Sequence, residues 1–280
     1  MHVFISADME GVSGVATAED VTKGEPEYAT AAKRMADDVN AAIDGALEAG
    51  AEAITVNDSH STMRNLEPGR LHEEARLIRG NTKPRSMMQG FERDHDVVFF
   101  VGYHAMAGTP EAVLNHTYYA HELFSLSVAG REVGELGYNA GLARALETPV
   151  GLVTGDDKTA REAESELEDV ETAVVKEGVD RFAANCRPLA AARRDIHEAA
   201  GLAVARARDG AFEQPDAPEP AAIEARWATT NLARAAARGS GVERVDGRTT
   251  RVERESYPAA FEAATAMLRG AAAGRNEIFG

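Results

Sequence analysis

The chain opens on His2-Val3-Phe4-Ile5-Ser6-Ala7-Asp8-Met9-Glu10-Gly11. His2–Ala7 reads as a buried strand, because apolar and small residues follow one another with no turn former among them. Directly behind it stand two carboxylates two positions apart, then a glycine. If the chain stays extended through Asp8 and Glu10, both carboxylates point to the same side. Two carboxylates so close repel each other unless a cation neutralises them. Gly11 lets the backbone turn sharply away. A solvated acidic turn is the competing reading, common in so acidic a chain.

The same pattern recurs further along. The Ala53–Val56 strand runs into Asn57-Asp58-Ser59-His60-Ser61, and the Val97–Val101 strand into Gly102-Tyr103-His104-Ala105. Between the first two strands, 26–49 reads as a long helix stopped by Gly50 as a left-handed cap. Its apolar residues Ala32, Met35, Val39, Ile43 and Leu47 fall at helical spacing. Leu77–Ile78 is a weaker strand. Leu123–Val128 and Arg131–Val133 flank Ala129-Gly130 as a hairpin. A helix over 135–146, a strand over Val150–Val153, a helix from about Lys158 and a strand over Thr172–Val175 continue the alternation. Pro188 opens an Ala-rich helix ending near Gly210, and Glu213–Pro220 is a Pro-rich linker. Strand, helix, strand and helix are expected once more over 222–226, 231–237, 249–253 and 258–269. The alternation predicts an α/β fold: a mainly parallel sheet flanked by helices, with a smaller C-terminal α/β lobe from about residue 221, the whole of 1–280 forming one domain.

Composition narrows the function. Asp and Glu number 46 against 30 Lys and Arg, a net charge of −16. Such a surface opposes phosphate backbones and argues against a nucleic-acid partner. It also resembles the acidic surfaces that keep proteins hydrated in a high-salt cytoplasm; drift in an Ala- and Arg-rich genome is the alternative. The apolar stretches are short and broken by charge, so no membrane span is expected. The N-terminus has no basic region, apolar run and cleavage site, which points to a cytoplasmic protein. Cys186 is the only cysteine, which excludes an intrachain disulfide and a thiolate zinc site, and it reads as a buried or idle thiol.

Any metal must therefore be held by His, Asp and Glu. Open α/β sheets bind ligands beyond the carboxyl ends of their strands. Three strands here deliver Asp8, Glu10, His60 and His104 to that one edge. Glu135 follows Gly134 at a helix start, where compensation of the helix dipole is its ordinary role. His116, in Asn115-His116-Thr117, is either a general acid/base or a strand-edge histidine. His2, His72, His95, His121 and His197 have no such company. Two histidines and three carboxylates suit zinc, with manganese or iron open. They exceed what one tetrahedral zinc needs, whereas two metals sharing a bridging carboxylate would use them all.

Read together, these segments resemble the DppA-type D-aminopeptidase family of zinc metallopeptidases. The resemblance rests on Ser6-Ala7-Asp8-Met9-Glu10-Gly11-Val12-Ser13-Gly14, Val56-Asn57-Asp58-Ser59-His60-Ser61, Gly102-Tyr103-His104-Ala105 and Gly134-Glu135-Leu136-Gly137-Tyr138-Asn139. Gly155-Asp156-Asp157 and Ala173-Val174-Val175-Lys176 fit as well, and the order holds over about the first two thirds of the chain. The resemblance implies two zinc ions per subunit, with Asp8 bridging and Glu10, His60, His104 and Glu135 completing the shells. It implies that His116 is the catalytic histidine. It implies removal of an N-terminal residue, preferentially a D-amino acid, from short peptides, by a homo-oligomer. Beyond the Pro-rich linker, Asp246-Gly247-Arg248-Thr249-Thr250 follows the family pattern only loosely. A dinuclear phosphoesterase is a rival reading, but no basic cluster for phosphate stands beside the motifs. A non-catalytic peptide- or metal-binding protein is another, and it would not need a poised His116.

Overall fold

The structure is a computed structural model and describes residues 1–276. The strands are β1 (His2–Ala7), β2 (Ala53–Asp58), β3 (Ala75–Ile78), β4 (Val97–Val101), β5 (Leu123–Val128), β6 (Arg131–Val133), β7 (Val150–Asp156), β8 (Glu171–Asp180), β9 (Ala183–Cys186), β10 (Ala221–Trp227), β11 (Glu243–Arg244) and β12 (Thr249–Arg254). The helices are α1 (Ala18–Val21), α2 (Tyr28–Glu48), α3 (Glu135–Ala145), α4 (Asp157–Leu167), α5 (Leu189–Arg208), α6 (Thr230–Ala236) and α7 (Tyr257–Ala271). Seven strands form the main sheet in the order β3-β2-β1-β4-β7-β8-β9, parallel except for the last pair. The α/β fold with a mainly parallel sheet is therefore observed.

Register explains the site. Ala7 lies opposite Asp58 on one side and Val101 on the other. The loops that follow β1, β2 and β4 therefore leave the sheet side by side. All five residues of β4 are buried, as a central parallel strand requires.

One face of the sheet is covered by α2 and α5. Ala31, Met35, Val39, Ala42, Ile43 and Ala46 form the buried stripe of α2, and Ala192, Ile196, Ala199, Ala200 and Ala203 that of α5. The two cross closely at Gly45, where a Cβ would come 2.1 Å from the His197 carbonyl oxygen. The other face, with Phe4, Val98, Phe100 and Val153, packs on α3, α7 and a second sheet. That sheet is antiparallel, in the order β11-β12-β10-β5-β6. The segment after the linker thus builds its sheet with the β5–β6 hairpin from the middle of the chain. Ala129 and Gly130 at the hairpin turn both have positive φ, 50° and 80°, as a type I′ turn needs.

The structure adds to the sequence reading at β8. It runs to Asp180, well past Val175, and returns as β9. The extension carries Glu177, Gly178 and Asp180 and pairs with β9, the edge strand of the sheet, where no apolar alternation is required. Cys186, on β9, is exposed rather than buried.

Candidate metal centre

Two glycines fit the first and fourth strand loops together. The Asp8 amide donates to the Val101 carbonyl and the Gly11 amide to the Gly102 carbonyl, each at 2.8 Å. A Cβ on Gly11 would lie 1.8 Å from the Tyr103 carbonyl oxygen. Gly102 has φ +73°, and a Cβ there would lie 2.3 Å from the Asp8 carbonyl oxygen. Side chains at either position would separate Asp8 and Glu10 from His104.

The structure brings all six residues singled out in the sequence to one place. His60 Nδ1 lies 3.0 Å from Glu10 Oε2 and 3.3 Å from Asp8 Oδ1. His104 Nε2 lies 3.4 Å from Glu135 Oε1 and 3.5 Å from Asp8 Oδ2. His116 Nε2 lies 3.7 Å from Glu135 Oε1 and 3.9 Å from Glu10 Oε1. The His104 and His116 rings stack with centroids 4.0 Å apart. Apart from the half-buried His116, all are buried.

The outward nitrogen of each ring faces a backbone carbonyl: Val21 for His60 (2.9 Å), Ala105 for His104 (3.0 Å) and Leu114 for His116 (2.8 Å). A carbonyl only accepts, so that nitrogen carries the hydrogen. The inward nitrogen of a neutral ring then presents a lone pair. Three imidazole lone pairs and three carboxylates face a common centre, where the backbone supplies the Met9 and Tyr118 amides, which donate to Asp8 Oδ1 and Glu135 Oε1. Only protons or metal ions reconcile such a set, and outward hydrogen bonds of this kind orient metal-binding histidines. The donors suit zinc. Asp8, Glu10 and His60 form one group whose ligand atoms lie within 4.8 Å of one another, and Asp8, His104 and Glu135 form a second. Asp8 is common to both. Glu10, His104 and His116 form a third such group.

Without metal the electrostatics are uneven. Burial, reinforced by Glu10, pushes Asp8 up to about 7. Burial also acts on Glu10, but the His60 charge overrides it and holds this carboxyl well below its usual range. Burial disfavours both buried imidazolium ions, yet Glu10 holds His60 well above its ordinary value and Glu135 lifts His104 to about 10. His116 goes the other way: burial lowers it, and the His104 charge stacked on it lowers it further.

A second layer of residues fixes these loops. The Asp58 carboxylate accepts from the Asn65 and Leu66 amides at 2.5 and 2.7 Å and shapes the loop after His60. Lys83 Nζ donates to Asn57 Oδ1, the Asp58 carbonyl and the Ile78 carbonyl. Lys176 Nζ donates to the carbonyls of Glu10, Val12 and Val15. Both lysines are buried. Scarcity was one sequence signal, since the chain has only five lysines and two of them are here; for Lys176 a second was its place in Ala173-Val174-Val175-Lys176, one of the segments that carry the family resemblance. The Tyr118 amide donates to Glu135 Oε1 at 2.6 Å. Leu114 and Tyr118 on either side of His116 take left-handed φ values of 50° and 54°, the kind of backbone strain found at functional loops.

A cleft of about 760 Å³ opens above the centre. Asp8, Glu10, His60, His116 and Glu135 line its floor, and Arg269 and Arg275 line a wall. The segment after the Pro-rich linker therefore closes one side of the site. Arg275 is itself held by Glu122 at 2.8 and 3.0 Å and lies over the Tyr119 ring.

Fold and centre together define a metallohydrolase: an α/β sheet presenting a buried His/carboxylate set, at its carboxyl edge, to an open cleft. Comparison with known proteins narrows the class. The sequence profile of the D-aminopeptidase family matches residues 1–266, and the chain belongs to that family. A D-aminopeptidase of Bacillus subtilis (strain 168) is 38% identical over 204 residues, which is 73% of this chain and 74% of that protein. The solved structure of DppA from Bacillus subtilis, a Zn-dependent D-aminopeptidase and self-compartmentalizing protease, superposes with a TM-score of 0.93 at 33% identity. That match covers 99% of this chain and 100% of the other. The chain is thus a metallo-aminopeptidase, and zinc is the metal its donors fit.

Proposed function

We propose that the protein removes N-terminal residues, preferentially D-amino acids, from short peptides, using two zinc ions per subunit. The observation that carries this reading is the buried His/carboxylate centre, in which two ligand groups share Asp8. Asp8, shared by both ligand groups, would hold the pair together with Glu10 and His60 on one side and His104 and Glu135 on the other. Bound there, a zinc pair supplies an activated water and polarises the scissile carbonyl.

The chain's own residues do the rest. Leu114 fixes the tautomer of His116 through Nδ1, which leaves Nε2 facing the centre. His116 therefore takes up a proton at Nε2 and passes it to the departing amine as the peptide C–N bond breaks. Its lowered proton affinity suits a group that must receive before it gives. The cationic wall at Arg269 lies within the same cleft.

The D preference follows the name of the Bacillus relatives. So does assembly into a homo-oligomer: Phe124, Val179, Phe182, Leu202 and Val245 are large apolar side chains at least half exposed. The acidic surface supports work in concentrated salt. None of the described helices is long and apolar enough to cross a membrane.

The test is turnover of D-Ala and L-Ala p-nitroanilides and of short peptides, before chelation, after it and after return of zinc. The reading requires D-residue release that disappears with chelator and returns with zinc. No metal-restored release of any amino acid would overturn it.

A further inference from the structure

Three backbone carbonyls of the loop after β1, those of Glu10, Val12 and Val15, converge on one buried point. The ammonium of Lys176 fills that point at 2.5, 3.0 and 2.6 Å. Lys176 comes from β8, two strands away from β4 across β7 and three from β1. It is fully buried, and an ammonium has three N–H donors and no acceptor. Its donors and the loop's acceptors therefore match one for one. The loop has other anchors: the Ser13 amide donates to Asp38 Oδ2 at 2.8 Å, and Arg34 donates to the Gly14 carbonyl at 2.7 Å. Among the described residues, however, only Lys176 has a side chain bound to the backbone oxygen of Glu10 itself.

We infer that Lys176 is a positioning residue of the metal centre: its ammonium organises the Glu10–Val15 loop and so sets the Glu10 carboxylate against His60 and His116 before metal arrives. The inference rests on the reading of Glu10 as a metal ligand. Without the ammonium, three buried carbonyl oxygens would face one another unpaired, and the loop would turn at least one of them toward water. The carboxylate of Glu10 would move with its backbone. Methionine fills a similar volume but donates nothing, so Lys176→Met isolates the donors from the packing.

The test compares Lys176→Met with Arg206→Met. The latter breaks the Asp169 and Glu171 pairs at the opposite end of β8 and serves as a destabilised control. Both are loaded with cobalt(II). Lys176→Met should alter the visible d–d bands, bind zinc at least tenfold more weakly in chelator competition and lose kcat more than it raises KM. Arg206→Met should lower only the melting temperature. Unchanged bands and zinc affinity in Lys176→Met, or equal changes in the control, overturn the inference. If Lys176→Met does not fold, hydrogen exchange on the unmodified protein decides. Peptides spanning 8–15 should be protected in the zinc-free protein as well as the loaded one. Fast exchange without zinc would mean that metal, not Lys176, orders the loop. Glu10→Ala with undiminished zinc content would instead refute the ligand reading, whatever Lys176 does.

Discussion

His104 and His116 lie ring on ring, yet their surroundings hold them in opposite states. Glu135 lies 3.4 Å from His104 Nε2 and stabilises its positive charge, whereas His116 is depressed by burial and by that same charge. On the proposed function the pair divides the work: His104 would meet a cation, and His116 would stay neutral and exchange a proton. His116→Ala should therefore retain zinc, measured by metal analysis of the purified variant, while turnover falls by about 10²–10⁴, the usual contribution of a positioned acid or base. Zinc lost together with fold would assign His116 a structural role instead. Asp8→Ala should weaken both zinc sites, since its two oxygens face different partners, Oδ1 towards His60 and Oδ2 towards His104. Loss of a single zinc would refute the bridge. The same charges give a pH dependence with a definite sign. Near pH 7 the zinc-free protein holds His104 protonated, because Glu135 lifts it to about 10, and Glu10 favours the protonated form of His60 as well. Metal binding requires the unprotonated rings, so zinc uptake should release protons and weaken as the pH falls. Calorimetry in buffers of different ionisation enthalpy reads the number released; no release would mean that the rings are neutral before metal enters.

At the scale of elements, the site depends on three strand ends in register and on two glycines between their loops. Each strand was legible because its run of apolar and small residues breaks off abruptly, at Asp8 after β1, at Asn57 within β2 and at Gly102 after β4. That change is what a parallel strand leaving the core requires. The helix α2 was legible for a similar reason, its buried stripe recurring every three or four residues. The end of β8 and all of β9 were not, since an exposed edge imposes no pattern. Nor were the clamps of Lys83 and Lys176, because a lysine that serves distant carbonyls looks locally like any charged residue. The C-terminal strands could be seen as strands, but their partnership with β5 is a long-range pairing with no local trace. Gly11→Ala tests how tightly the elements are fitted. A methyl group 1.8 Å from the Tyr103 carbonyl oxygen must push the two loops apart. We expect a loss of stability of roughly 1–3 kcal/mol, typical of overpacking, together with loss of zinc. Urea unfolding and metal content measure the two effects; native zinc content would show that Asp8 and Glu10 do not depend on this fit.

Across the whole molecule, charge and function pull in different directions. The net charge is −16, yet the site itself gathers three buried carboxylates, Asp8, Glu10 and Glu135, a kind of group seldom buried unless paired. Cations are therefore distributed selectively. Of the five lysines, Lys83, Lys158 and Lys176 donate to backbone carbonyls at the end of the main sheet that bears the site, through Asp58 and Ile78, Gly178, and Glu10 respectively. Elsewhere arginine carries most of the positive charge, and acids outnumber bases. Self-repulsion among those carboxylates should make stability depend on salt. The screening length falls from about 10 Å at 0.1 M to about 3 Å at 1 M, so added KCl should relieve the repulsion between surface charges. Exposed ion pairs such as Arg93–Glu147 at 3.2 Å would weaken over the same range, but each contributes only about 0–1 kcal/mol. With acids outnumbering bases 46 to 30, repulsion outweighs attraction. The melting temperature of the zinc-loaded protein should therefore rise steadily from 0.1 M to 1 M KCl. Loading with zinc first keeps the metal centre from titrating during the series. A melting temperature that falls with KCl would show that ion pairs dominate and that the acidic composition is not an adaptation to salt.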